Sequence, residues 1–168
     1  ALNAEKEISA RVPILKGGAL IVPIGFFKDT KGENVSQSID AKEKKKVEIL
    51  AMEAVFASER ALGRYPKDVS NQRGIGYDIE SSDEEGNLFF IEVKGRVEGA
   101  DSITLTFNEL KRGLNSPKQF RLAISTITDN KASEPLYISG IDWGRPGFGD
   151  TAVTKNLSQL LAIAKGPH

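Results

Sequence analysis

"GYDIESSDEEGNLFFIEVKGR", residues 76–96, decides the fold. Its two ends, "GYDIES" from Gly76 to Ser81 and "LFFIEVKGR" from Leu88 to Arg96, flank the turn-prone tip "SDEEGN". The second end is rich in aromatic and β-branched residues, so the stretch reads as a β-hairpin. Side chains alternate between the faces of a strand, which places Phe89, Ile91 and Val93 on one side and Glu92 and Lys94 on the other. In the first strand the same rule assigns Tyr77 and Ile79 to the apolar face and Asp78 and Glu80 to the polar one. Pairing the strands predicts Asp78 beside Glu92, with Lys94 next along.

Upstream, Asp40 reads as the N-cap and Glu43 as the capping-box partner of a helix over residues 41–62, with Gly63 just past its end. Val47, Leu50, Ala51, Ala54 and Val55 recur at helical spacing and predict a buried stripe. Glu48, Met52, Val55 and Glu59 line one edge of it, and Lys42, Lys44, Lys45 and Lys46 cluster near the start as a solvated run. Lys67 to Ser70 reads as a short strand. Downstream come a strand at Ser102 to Leu105 and a Thr106-x-x-Glu109 capping box opening a helix that runs to Asn115. Phe120 to Thr128 reads as a buried strand, "PLYISGI" from Pro135 as a further one, and Leu157 to Ala164 as a last amphipathic helix.

At the front, "VPILKGGALIVPIGFF" from Val12 to Phe27 predicts one or two short strands, and Asp29 to Gln37 a polar loop. The expected organisation is therefore a connector or appendage over residues 1–39 and one domain over 40–168. Helix, hairpin, strand, helix, strand is the order of an α/β layer, a mixed central β-sheet flanked by helices.

Composition narrows the chemistry. The chain has no cysteine, and its single histidine is His168, which excludes thiol catalysis, cysteine-ligated zinc and histidine triads. Lys+Arg and Asp+Glu each number 23, so any surface for a polyanion must be local. No apolar run approaches the roughly 20 residues of a membrane span, and the first residues lack a secretory pattern, so a soluble, cytoplasmic protein without membrane partners is expected.

What remains is carboxylates, lysines and oxygen-bound metals. Two carboxylates on neighbouring strands suit Mg²⁺ or Mn²⁺, which takes one or two protein carboxylates and keeps waters for a substrate phosphate. The expected metal set is Asp78, Glu92 and Val93, the residue between Glu92 and Lys94. A lysine two residues after Glu92 can orient a water and offset charge on phosphorus oxygens, which points to phosphodiester hydrolysis. Arg96, Lys111, Arg112 and Lys118 follow along the chain as candidate phosphate contacts. Glu109 is expected to cap its helix and not to join the site. An isolated E-x-K on an exposed sheet face would also arise as a cross-strand ion pair.

Asp78 followed fourteen positions later by Glu92-Val93-Lys94 resembles the PD-(D/E)XK phosphodiesterase superfamily, with Gly76-Tyr77 where that motif usually has proline. "ERALGR" at Glu59 to Arg64, "GYDIES" and "FIEVKGR" at Phe90 to Arg96 together resemble the NO VEIN C-terminal domain family, itself similar to those nucleases, over roughly Val47 to Ile127. The resemblance implies a restriction-endonuclease-like fold and a catalytic set of Asp78, Glu92 and Lys94. It also implies a helix glutamate, best matched by Glu59 with Glu48 behind it. "EISARVPILKGGALIVPIGFF", residues 7–27, resembles the segment joining such domains to superfamily 2 helicase motors of bacterial restriction and phage-defence systems. The implied function is a Mg²⁺-dependent DNA endonuclease module beside a helicase motor. The alternative is a non-catalytic DNA-binding or docking module of the same fold.

Overall fold

The computed structural model describes residues 33–140, 143, 144, 147, 149 and 151–168, with 33–40 by their backbone. The strands expected between Val12 and Phe27, and the connector before Glu33, lie outside the described residues. The chain divides into two units, Ala1–Gln37 and Ser38–His168. Apart from the start of the first helix, every element below belongs to the second.

Helix α1 spans Glu33–Ala61 and so begins seven residues before the expected N-cap. Asp40 lies inside it. The physical reason is visible in the chain: from Glu33 to Leu62 there is no glycine or proline, and Gly32 is the last breaker. The C-terminus ends as expected at Gly63, whose φ of 75° lets Arg64 N–H reach the Glu59 carbonyl at 3.0 Å and Gly63 N–H reach that of Arg60 at 3.0 Å, the two bonds of a Schellman motif.

The strands are β1 (Tyr65–Asp68), β2 (Ile79–Ser82), β3 (Leu88–Val97), β4 (Ser102–Thr106), β5 (Phe120–Thr128), β6 (Lys131–Ala132), β7 (Leu136–Ser139) and β8 (Ala152–Asn156). Helices α2 (Phe107–Asn115) and α3 (Leu157–Ile163) complete the described elements. The central sheet runs β1-β2-β3-β5-β6, with β7 also on β5. Only β3 and β5 are parallel, and the crossover between them carries β4 and α2. β4 pairs with β8, a strand that sequence reading did not find, in a separate antiparallel ribbon.

The two faces of the sheet bury separate cores. On one, Val55 of α1 packs with Ile79, Ile91, Ala123 and Tyr137. On the other, Leu110 and Leu160 from α2 and α3 pack with Phe120, Leu122, Ile124, Ile138 and Trp143. The alternation predicted for β3 holds, since Ile91 faces α1 while Glu92, registered on Leu122, faces the α2 side. Gly95 permits α1 to lie directly on β3, because a Cβ there would stand 2.7 Å from the Val47 carbonyl oxygen.

Tyr77 departs from the expected alternation. It lies ahead of β2, and its ring stacks on Phe90 with centroids 4.8 Å apart, on the face away from Ile79. Gly76 causes this, because its φ of 77° turns the backbone out of the strand path. Its backbone also lies against α2, where a Cβ would meet the Asn108 carbonyl oxygen at 2.2 Å. Gly76→Ala therefore combines left-handed strain with a backbone collision and is expected to cost about 2 kcal/mol or more in urea unfolding.

Candidate functional site

β2 stops at Ile79, opposite Ile91, whereas β3 continues to Val97. Among the described residues no strand neighbours that edge of β3 beyond Ile91, and Asp78 occupies its start. Asp78 is tied down on both sides: its N–H donates to the Ile91 carbonyl at 2.9 Å, and its own carbonyl accepts from Val69 N–H at 2.9 Å. Its carboxylate Oδ2 accepts from Val93 N–H at 2.9 Å, so a side chain takes over where the ladder ends.

Glu92 and Lys94 lie on the α2 face of β3, as alternation requires. Lys94 Nζ donates to Glu92 Oε1 at 2.6 Å and to Glu109 Oε2 at 2.9 Å. Glu92 is 3% exposed. Glu109 closes the capping box of α2, its Oε2 accepting from Thr106 N–H at 3.0 Å while Thr106 Oγ1 accepts from Glu109 N–H at 3.4 Å. The capping expected of Glu109 is present, but it does not exclude the site. The chain passes from β4 into α2 directly at Thr106, which lets the same carboxylate do both, a juxtaposition that no spacing in the sequence reveals.

Asp78, Glu92, Lys94 and Glu109 line one cleft of about 870 Å³ between β3 and the flank of α1. Burial pushes the Glu92 carboxyl well above the usual range, against the pull of Lys94 and with help from the charges of Asp78 and Glu109. Burial also raises Asp78, only partly offset by the Val93 hydrogen bond and Lys94. For Lys94, desolvation acts downward, but the charges and hydrogen bonds of Glu92 and Glu109 outweigh it and leave the ammonium raised. Glu109 is also desolvated, yet Lys94 and the cap hold it below its usual value.

Glu59 does not join this group. It continues the buried stripe Ala51, Val55, Glu59 and is fully buried, with both carboxylate oxygens within 3.4 Å of Arg64 Nη1. Ala57 and Arg60, on either side of it in the chain, still line the cleft, so Glu59 is kept out by its direction, into the core and onto Arg64, and not by its height on the helix. Glu48 does line the cleft, with Lys45, Met52 and Phe56 from the same flank. Sequence spacing set the two glutamates on one flank without showing that only Glu48 turns toward the cleft while Glu59 turns into the core.

Of the phosphate-contact candidates, Arg96 lines the cleft, with its Nε donating to the Ser102 carbonyl at 3.1 Å. Arg112 serves the fold: its Nε donates to the Ile75 carbonyl at 3.0 Å and its guanidinium lies over Tyr77 and Phe90. Lys118 lines a separate shallow depression with Asn87 and Phe89, and Lys111 is exposed on α2 outside the cleft. Glu80 accepts from the Tyr77 hydroxyl at 3.1 Å and does not line the cleft.

Among the described residues no three His, Cys, Asp or Glu side chains form a ready-made metal-ligand set. The donor chemistry nevertheless fits a hard divalent ion. Glu92 and Glu109 hold a single ammonium while Asp78 lines the same cleft, and two carboxylates with a main-chain oxygen and waters are what Mg²⁺ commonly uses. Among the described residues no helix is long and apolar enough to cross a membrane.

Residues 47–138, more than half of the chain, match the family described as Protein NO VEIN, C-terminal. The matched region runs from the part of α1 that covers β3 through β7 and contains the whole acidic cluster. No curated protein and no solved structure matches the chain.

Because the Asp78 carboxyl is raised, folding favours its protonated form; that contribution is full below the unfolded pKa and is lost as pH rises through the folded one. Asp78→Asn keeps an acceptor for Val93 N–H without the charge. It is expected to melt above the unsubstituted protein at about pH 7, with the difference closing below about pH 4. Glu59→Ala, which strands Arg64 against a buried vacancy, is expected to cost about 3 kcal/mol in urea unfolding and to leave cation binding at the cleft unchanged by calorimetry.

Proposed function

The chain belongs to the NO VEIN C-terminal family, and from that premise and the cleft we propose that it is a metal-dependent DNA endonuclease module of the PD-(D/E)XK type. The observation that carries this reading is the placement of Asp78 on the free edge of β3, its carboxylate bonded to Val93 N–H between Glu92 and Lys94. The D…ExK pattern is thereby gathered at one opening, which a scattered set of surface charges would not do.

In this reading Asp78, Glu92 and the Val93 carbonyl hold Mg²⁺ or Mn²⁺. Those residues would hold the ion, which would supply Lewis-acid polarisation of a phosphoryl oxygen and ease the ionisation of water at neutral pH. The protein's own residues do the rest. Asp78, fixed at backbone and side chain, sets the position of the scissile phosphate relative to β3. Lys94, 14% exposed, stays charged and points its ammonium at the carboxylates, where it can orient the attacking water and stabilise negative charge on the phosphorus oxygens. Water adds to phosphorus, the bridging phosphorus–oxygen bond breaks, and the leaving oxygen takes up a proton. Arg96 and Lys45, at the rim with Glu48, are the groups best placed to meet neighbouring phosphates. Residues 1–39 would connect the module to a helicase motor of a restriction or phage-defence system, an assignment resting on the resemblance of residues 7–27 to such joining segments.

A second reading has its own support: Lys94 already satisfies Glu92 at 2.6 Å, as in a cleft kept for binding DNA or docking a partner without chemistry. Calorimetric titration with Mn²⁺ separates the two. The enzyme reading expects binding that Asp78→Ala abolishes, together with Mn²⁺-dependent nicking of supercoiled DNA that Lys94→Ala lowers at least about 100-fold. DNA binding with neither metal binding nor nicking would establish the non-catalytic module.

A further inference from the structure

Lys94 is held from two elements at once. Glu92, on its own strand, takes it at 2.6 Å, and Glu109, in the first turn of α2, takes it at 2.9 Å. The Glu109 contact uses Oε2, the atom that also accepts Thr106 N–H at 3.0 Å, so one carboxylate oxygen serves half of the α2 capping box and the cleft ammonium together. The two carboxylates are not equivalent. Glu92 belongs to the expected metal set, and a cation drawing on it competes with Lys94 for the same group. Glu109 depends on nothing at the metal position, because Thr106 fixes it through both halves of the box. Asp78 is linked to the same turn: the Gly76 backbone, two residues before it, lies against Asn108 and Glu109 so closely that a Cβ would stand 2.2 Å from the Asn108 carbonyl oxygen.

We infer that Glu109 is a positioning residue, the anchor that keeps the Lys94 ammonium in the cleft while Glu92 engages a divalent cation. The inference deepens the nuclease reading and rests on it for the cation, but its central contact can be tested without any cleavage. The first turn of α2 then sets the site from two directions, through Glu109 to Lys94 and through Asn108 to the Gly76-Tyr77-Asp78 segment. A substitution that removes the charge of Glu109 but keeps an oxygen for Thr106 N–H should act chiefly on Lys94, and one that removes the Thr106 hydroxyl should act chiefly on the helix.

The experiment follows the Lys94 ammonium by proton–nitrogen NMR in saturating Mg²⁺, with Lys94→Arg used to assign the signal. Slow exchange of these protons with water is expected for the unsubstituted chain, and at least about tenfold faster exchange for Glu109→Gln, which keeps the cap's shape but removes the charge. Thr106→Val is the control for the cap: a lower melting temperature with Lys94 exchange within about twofold of the unsubstituted chain. Where the chain nicks DNA, Glu109→Gln should lower kcat by about 10- to 100-fold with KM little changed. Unchanged Lys94 exchange in Glu109→Gln, or equal acceleration by Thr106→Val, would overturn the assignment. Faster exchange in Glu109→Gln from a chain that cuts no DNA would sustain the anchor and refute the nuclease reading.

Discussion

The hydrogen bond from Val93 N–H to the Asp78 carboxylate is the contact on which the rest of this structure turns. A sheet edge that continues past its neighbour leaves backbone donors without partners, and burying such a donor is costly. Here the donor is met by a carboxylate whose own backbone is pinned to Ile91 and Val69. The fold's need to finish an edge and the site's need for a fixed acidic group are satisfied by one residue.

Around that contact the charges are arranged at a cost. Glu92 and Asp78 are both shifted toward the neutral form, chiefly by burial, and one lysine serves more carboxylates than it can neutralise. A structure selected for stability alone would place apolar groups at Glu92, because a buried ion pair seldom exceeds its desolvation penalty. Perturbed carboxyls converging in a cleft mark it as the candidate site of this fold. The contrast with Glu59 is instructive. That glutamate is equally buried, but it closes on Arg64 at the far end of α1, beside a Phe89 ring on which Arg64 lies at 3.9 Å, and it holds the helix end to the sheet.

Much of the fold was legible because it depends on local periodicity. The hairpin, β5, the Thr106 capping box and the Gly63 terminus follow from alternation, β-branched content, a four-residue cap signature and a left-handed glycine. All of these act between residues close in the chain. The start of α1 was misplaced because Asp40 and Glu43 imitate a capping box, while the stretch upstream of them, free of glycine and proline, carries the helix back to Glu33. β8 was missed because Ala152–Asn156 is mostly polar and gains its strand geometry by pairing with β4, fifty residues away.

For the site, the residues alone determined that Asp78, Glu92 and Lys94 could share a strand pair, and that cysteine and histidine chemistry was excluded. These are consequences of composition and of the two-residue period of a strand. Tertiary structure decided the rest. It placed Asp78 on an open edge instead of within a ladder, turned Glu59 into the core onto Arg64 and brought Glu48 to the cleft. It also gave the capping glutamate Glu109 a second partner in Lys94. Those outcomes depend on which face α1 lays on β3 and on where the β3 to β5 crossover lays α2 down, both set by packing between segments remote in the chain.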